Sequence, residues 1–283
     1  MSITIPFAIN RNSARRLALK DFCRMVVNLR VDAVELRNDI EGVEMQDGAP
    51  GANAGEMIKD HGLKALSINA LYPFDVWDDC RAEQAKTLAR YARDSGAAAL
   101  VLCPFNSCDD KRNESERRGD LLKALRAMKP ILRDHGLIGH VEPLGFPQSS
   151  LRLKRPAVEA IAEVHGEDAF NLIHDTFHHH LANDPDYFPE RTGLVHISGV
   201  EDVSVPVSEL LDSHRVLVGE ADVLHNAEQI RALIAGGYRG YFSFEPFAKE
   251  IQALRDPESA LRASMDYLTQ QVNELAKNAG LTS

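Results

Sequence analysis

Eight short apolar runs of strand type recur along the chain, and segments with helical spacing lie between most of them. The runs are ITIPFAIN from Ile3, AVELR from Ala33, KALSINA from Lys64, ALVLCPF from Ala99, IGHVEP from Ile138, NLIHDT from Asn171, LVHISG from Leu194 and YFSFEPF from Tyr241. Strands alternating with helices pair in parallel through right-handed crossovers, and eight such units in 283 residues are what a closed (β/α)8 barrel requires. The rival is a doubly wound sheet. It needs a glycine-rich phosphate loop after the first strand, and FAINRNSARR contains no glycine. The sequence therefore reads as α/β, a single (β/α)8 TIM barrel domain over residues 1–283 that ends in a C-terminal helix.

Two helices carry clear boundary signals. RAEQAKTLARYARDSG has an apolar stripe of Ala85, Leu88, Ala89 and Ala92 and a closing Gly96. The last helix starts at DPES, with Asp256 as N-cap, Pro257 in the first helical position and a stripe through Leu261, Met265, Leu268, Val272 and Leu275. The interval between the sixth and seventh runs is short, so its helix, around ANDPDYFPE, is expected to shrink to a turn or two. Val200 to Asn226 is long and poorly periodic, which marks it as a candidate active-site loop.

Charge and composition exclude several roles. A formal charge of −10 argues against a nucleic-acid partner, since such partners are held by cationic contacts to phosphate. No apolar run approaches the roughly 20 residues that span a bilayer, and the N-terminus lacks signal-peptide order, so a cytoplasmic protein is expected. Cys23, Cys80, Cys103 and Cys108 have neither zinc-site nor disulfide-framework spacing and read as reduced thiols. Association into a homo-oligomer is left open.

Barrels place their reactive groups at the carboxyl ends of strands. There the fifth run ends in Glu142 and the sixth in Asp175, while the seventh carries His196 and the eighth Glu245. A lone glutamate at a strand end is ordinarily a solvated cap. Three carboxylates facing one mouth repel unless a cation or protons neutralise them, and one divalent ion is the economical answer. Oxygen-rich ligation with one nitrogen favours Mn2+ or Mg2+ over a structural zinc, although Zn2+ or Co2+ fit the same ligands. Strand alternation puts His174 and Asp175 on opposite faces, which leaves Asp175 for the site and His174 for the core. His178 lies beyond the strand, where it can fold back as a substrate-binding or proton-relay group; His179 and His180 read as structural or solvent-facing. LYPFDVW offers Tyr72, Phe74 and Trp77 either as a shield for the apolar face of a polyol or as packing under a loop.

HVEPLGFPQ, IHDTFHHH, VHISGVED, HRVLVGEAD and FSFEPF, in that order, resemble the xylose-isomerase-like barrel superfamily of sugar isomerases and epimerases. With AVELRN and LSINALYPFDVW added, the finer pattern is most similar to the 2-keto-myo-inositol isomerases of inositol catabolism. The resemblance covers nearly the whole chain. It implies a metal held by Glu142, Asp175, His196 and Glu245, with His178, Gln148 and Arg215 on substrate oxygens and Glu35, Asn69 and Trp77 lining the mouth. Arg215 has a plainer alternative, a surface ion pair with Glu209 or Asp212.

The ligands also suggest a chemistry. A hydroxy-ketone held by a divalent cation is acidic at the carbon between its oxygens, and Glu142 and Glu245 are placed to move that proton. The leading expectation is an isomerase acting on a small polyol or keto-sugar. A dehydratase of inosose or 3-dehydroshikimate with His178 as the acid, a ketohexose 3-epimerase and a non-catalytic sugar binder are the alternatives.

Overall fold

The computed structural model describes residues 3–278. Eight strands form one closed, wholly parallel barrel in sequence order, β1 Phe7–Asn10, β2 Ala33–Arg37, β3 Lys64–Leu71, β4 Ala99–Leu102, β5 Ile138–Val141, β6 Phe170–Asp175, β7 Thr192–Ile197 and β8 Phe242–Phe244. All eight apolar runs became strands. The seam closes where Phe7 pairs with Phe242 and Ile9 with Phe244. A strand covered on both faces reads as a continuous apolar run, and β1, β2 and β4 are buried at every position.

Nine helices wrap or cap the barrel among the described residues: α1 Leu19–Asn28, α2 Gly51–Asp60, α3 Asp79–Ser95, α4 Glu114–His135, α5 Lys154–Glu163, α6 Thr176–Ala182, α7 Asn226–Ala235, α8 Lys249–Gln252 and α9 Pro257–Asn278. The boundary signals correspond to real caps. Asp78 accepts from Arg81 N to open α3, and Gly96 closes it at φ +74°, a conformation that costs a residue without Cβ little. Asp256 Oδ1 accepts from Ser259 N at 3.0 Å to open α9. On α9 Leu261, Leu268 and Val272 are buried as the stripe requires, while Met265 and Leu275 are only half-buried. Ser264, absent from the apolar stripe, is buried because its hydroxyl donates to Val218 O at 2.7 Å.

The crossover from β6 to β7 differs from expectation in position. Its helix is α6, directly at the end of β6, and ANDPDYFPE forms only a 3-10 turn at Pro189–Arg191. The reason is capping. Asp175 Oδ1 accepts from Phe177 N at 2.8 Å and His178 N at 3.0 Å, so the helix starts as soon as the strand stops, and Asn183 ends it in a left-handed conformation. Gly145 lets the preceding loop lie against α6; a Cβ there would sit 2.2 Å from His178 O. The long segment after β7 contains two 3-10 turns and returns to the barrel through an antiparallel bridge of Gly199 with Val216. Phe247 N and Ala248 N then bond Arg215 O, which fixes Arg215 at the mouth.

Candidate metal centre

Inward-facing side chains of alternating strand residues stack in layers. Val101, Ile173 and Leu194 are buried together, and two residues further along the same strands lie Cys103, Asp175 and His196. One ligand atom each from Glu142, Asp175, His196 and Glu245 falls within 4.8 Å of the others, and all four residues are buried. Ligands about 2.0–2.3 Å from one ion lie up to roughly 4.6 Å apart, close to the spread of this set, so a small inward shift of the side chains would seat a single cation. His196 Nδ1 is 2.9 Å from Glu142 Oε1, 3.2 Å from Glu245 Oε2 and 3.9 Å from Asp175 Oδ2. Asp175 divides its oxygens, with Oδ1 capping α6 and Oδ2 facing the cluster.

The other ring nitrogen of His196 is held from below. Nε2 lies 3.2 Å from Glu35 Oε2, an arrangement that fixes the ring and leaves Nδ1 free to ligate. Glu35 also accepts from Ser67 Oγ at 2.5 Å, Asn69 Nδ2 at 2.8 Å, Ser243 Oγ at 2.5 Å and Asn10 Nδ2 at 3.2 Å. Burial pushes its pKa up, but the His196 charge and these donors outweigh it and bring it down to about 2. For His196, burial works downward, and the surrounding Glu245, Glu35 and Glu142 win and hold it well above the usual histidine range.

Two guanidiniums flank the cluster. Arg37 Nη1 bonds Glu245 Oε1 at 2.6 Å, and Arg215 Nη2 reaches Asp175 Oδ2 at 2.6 Å and Glu245 Oε2 at 3.2 Å. Both stack against Phe247, with guanidinium carbons 5.2 and 4.6 Å from the ring centre. Four buried carboxylates, Glu35, Glu142, Asp175 and Glu245, thus face two buried guanidiniums. A cation that displaces the proton from His196 meets two uncompensated negative charges among these buried groups, which one divalent ion balances. The donor set, the spacing and the charge all fit such an ion.

A cavity of about 340 Å³ opens above the cluster, lined in part by Asn69, Tyr72, Glu142, His178, Arg215 and Glu245. His178 packs edge-on to Phe146 and Phe177. Its Nδ1 is buried and has no partner. Arg215 is 1% exposed, so it is not a surface arginine; its ion pair with Asp212 forms, at 3.1 Å, as one of several bonds.

Three expected mouth residues lie elsewhere. Glu35 is fully buried under His196 rather than at the mouth. Trp77 packs half-buried against the main core and does not line the cavity, because the buried Asp75 anchors its loop by accepting from Phe105 N and Ser150 Oγ. Phe74 is likewise core, which leaves Tyr72 at the rim. Gln148 is also outside the cavity: the turn that bonds Ser149 N to Phe146 O sends Phe146 inward in its place. His174 is a core histidine bonded to Gln229 Oε1 at 2.8 Å. His179 is buried, not solvent-facing, and takes Lys154 Nζ at 2.8 Å. Arg37, Asn10, Cys103 and Phe247 were absent from the sequence-derived set. Alternation held the signal for Arg37, which shares its face of β2 with Glu35.

Residues 24–271 match the xylose isomerase-like TIM barrel family. A xylose isomerase domain-containing protein of Salmonella typhimurium is 33% identical over 97% of this chain and 99% of its own, with a TM-score of 0.85. The chain belongs to the xylose isomerase-like TIM barrel family. Two solved structures share the fold at lower identity. The IolI protein with a bound zinc atom is 21% identical over 95% of this chain and 99% of its own, TM-score 0.82; an L-ribulose 3-epimerase is 18% identical over 99% and 98%, TM-score 0.74. No curated protein matches the chain in sequence.

Proposed function

We propose that the protein is a divalent-metal-dependent isomerase that interconverts keto-inositols, or a related ketose, by proton transfer through an enediolate. The observation that carries this reading is the convergence of Glu142, Asp175, His196 and Glu245 on one cation-sized space under the cavity. A divalent ion bound there would acidify the carbon beside a substrate carbonyl. Glu142 Oε2 meets only the weak thiol donor of Cys103, at 3.3 Å, and is the less encumbered carboxylate for proton transfer. Glu245 is held on both oxygens by arginines and serves chiefly as ligand. Arg215 points one amine at the cluster, where negative charge develops on substrate oxygen. Phe146 and Phe177 seat His178 in the wall as a binding or relay group. Mn2+ is the favoured ion on its oxygen-rich ligand set, and Zn2+, Mg2+ or Co2+ are compatible with it.

The test is a metal-reconstituted assay against inososes and ketohexoses in deuterium oxide. Proton transfer through water-exchangeable groups places deuterium at the carbon next to the carbonyl without loss of mass. A product lighter by one water would replace the isomerase with a dehydratase in which the unpartnered His178 is the acid, and transfer of the substrate hydrogen without exchange would exclude proton transfer.

A further inference from the structure

The two arginines at the cavity are each clamped between an inner and an outer carboxylate. Arg37 gives Nη1 to Glu245 and turns its Nε and Nη2 edge to Asp39, at 2.8 and 2.7 Å. Arg215 gives Nη2 to Asp175 and Glu245, Nη1 to Asp212 at 3.1 Å and Nε to Ser198 at 3.0 Å. The inner partners are buried, whereas Asp39 and Asp212 are 50% and 45% exposed and line the cavity. A guanidinium edge of the Arg37 kind, two parallel donors, matches a phosphate or carboxylate, and here a side chain of the protein already fills it. No other lysine or arginine lines the cavity among the described residues.

We propose that Asp39 and Asp212 are specificity-determining residues that act as a charge filter: by saturating Arg37 and Arg215 at the mouth they reject phosphorylated and carboxylated sugars and admit uncharged polyols. The idea rests on the isomerase reading for the identity of the substrate, though not for the filter itself. An anionic ligand entering this mouth meets two half-exposed carboxylates before either guanidinium that lines it. Removing both leaves the Arg37 fork and Arg215 Nη1 open, with the local charge raised by two.

Inorganic phosphate is the probe. Calorimetric titration and competitive inhibition are measured on the metal-loaded protein, wild type and the pair Asp39→Ala with Asp212→Ala; the pair Asp39→Asn with Asp212→Asn removes both charges, keeps one oxygen acceptor at each position and serves if the alanine protein does not fold, as read by circular dichroism. Each half-exposed charge removed is expected to tighten phosphate by up to about fivefold, so the double variants should gain up to roughly 25-fold. The wild type should discriminate against a ketose phosphate relative to the free ketose, and the variants should lose that discrimination. Equal phosphate affinity in wild type and variants overturns the filter, as does a wild type that prefers the phosphate ester. If phosphate tightens in the variants while no neutral ketose or inosose is turned over, the filter stands and the isomerase reading falls.

Discussion

Residue by residue, the centre is a balance of charge. Arg37 is 7% exposed and bonded to a 5% exposed Glu245, so Arg37→Met keeps bulk but strands a buried carboxylate. Breaking such a pair costs about 3–5 kcal/mol, and because Asn10 and Arg215 still hold Glu245, the low end, about 3 kcal/mol, is expected in chelator. Urea unfolding with EDTA measures it; an unmoved midpoint would mean that the remaining donors suffice. His179 sets a pH dependence. Burial, then the Lys154 charge, push its pKa from 6.5 to about 3. The folded chain refuses a proton that the unfolded chain accepts in that window. The contribution is therefore whole above 6.5 and is lost as pH falls toward 3, by up to about 1.4 kcal/mol per unit. His179→Asn keeps an acceptor for Lys154 and should flatten the slope of urea stability against pH between about 6 and 5; an unchanged slope would assign the effect to other groups. The four clustered groups were legible in the sequence because barrel chemistry sits at strand ends. Arg37 was overlooked because an arginine inside a barrel is intelligible only once its two carboxylates are known. Trp77 and Gln148 were misplaced because a loop's direction depends on anchors such as Asp75, which no periodicity reveals.

Among the elements, α6 links packing to chemistry. It begins at Asp175, contains His178 and leans on Gly145, and its far end is pinned by the buried Lys154, which bonds Asp184 at 3.2 Å as well as His179. Gly145→Ala would drive a methyl into the His178 carbonyl, a backbone atom that yields only if the helix moves. A loss of about 1–3 kcal/mol is expected, with weaker Mn2+ binding because Asp175 moves with its helix. Thermal melts and calorimetric titration with Mn2+ test both, and wild-type values in both would show that the loop gives way instead. All eight strands were readable because each is a mainly apolar run of the right length, buried at half or more of its positions. The start of α6 was not, since it is decided by one side chain turning back on the backbone, which looks like any other aspartate in the sequence.

Across the whole molecule, no described helix is long and apolar enough to cross a membrane, and the centre draws on every strand or its C-terminal edge, from Asn10 on β1 to Glu245 just past β8. A cation that binds only the folded barrel stabilises it by mass action, about 2.7 kcal/mol at one hundred times its dissociation constant. The unfolding temperature should therefore climb with Mn2+, and His196→Ala should abolish the rise; a rise that survives it would place the ion elsewhere. The seam between β1 and β8 gives this a direction in time. It joins the first strand to the last, the strand pairing most distant in sequence, and Glu245 reaches Asn10 and Arg37 only once that contact exists. All four ligands lie on or just past β5 to β8, so a chain with the seam open can already gather them, but it leaves Glu245 without Asn10 and Arg37 to aim it, and the grip on the ion tightens when the ring closes. The ion should therefore slow unfolding more than it speeds folding, holding the ring shut as a latch does.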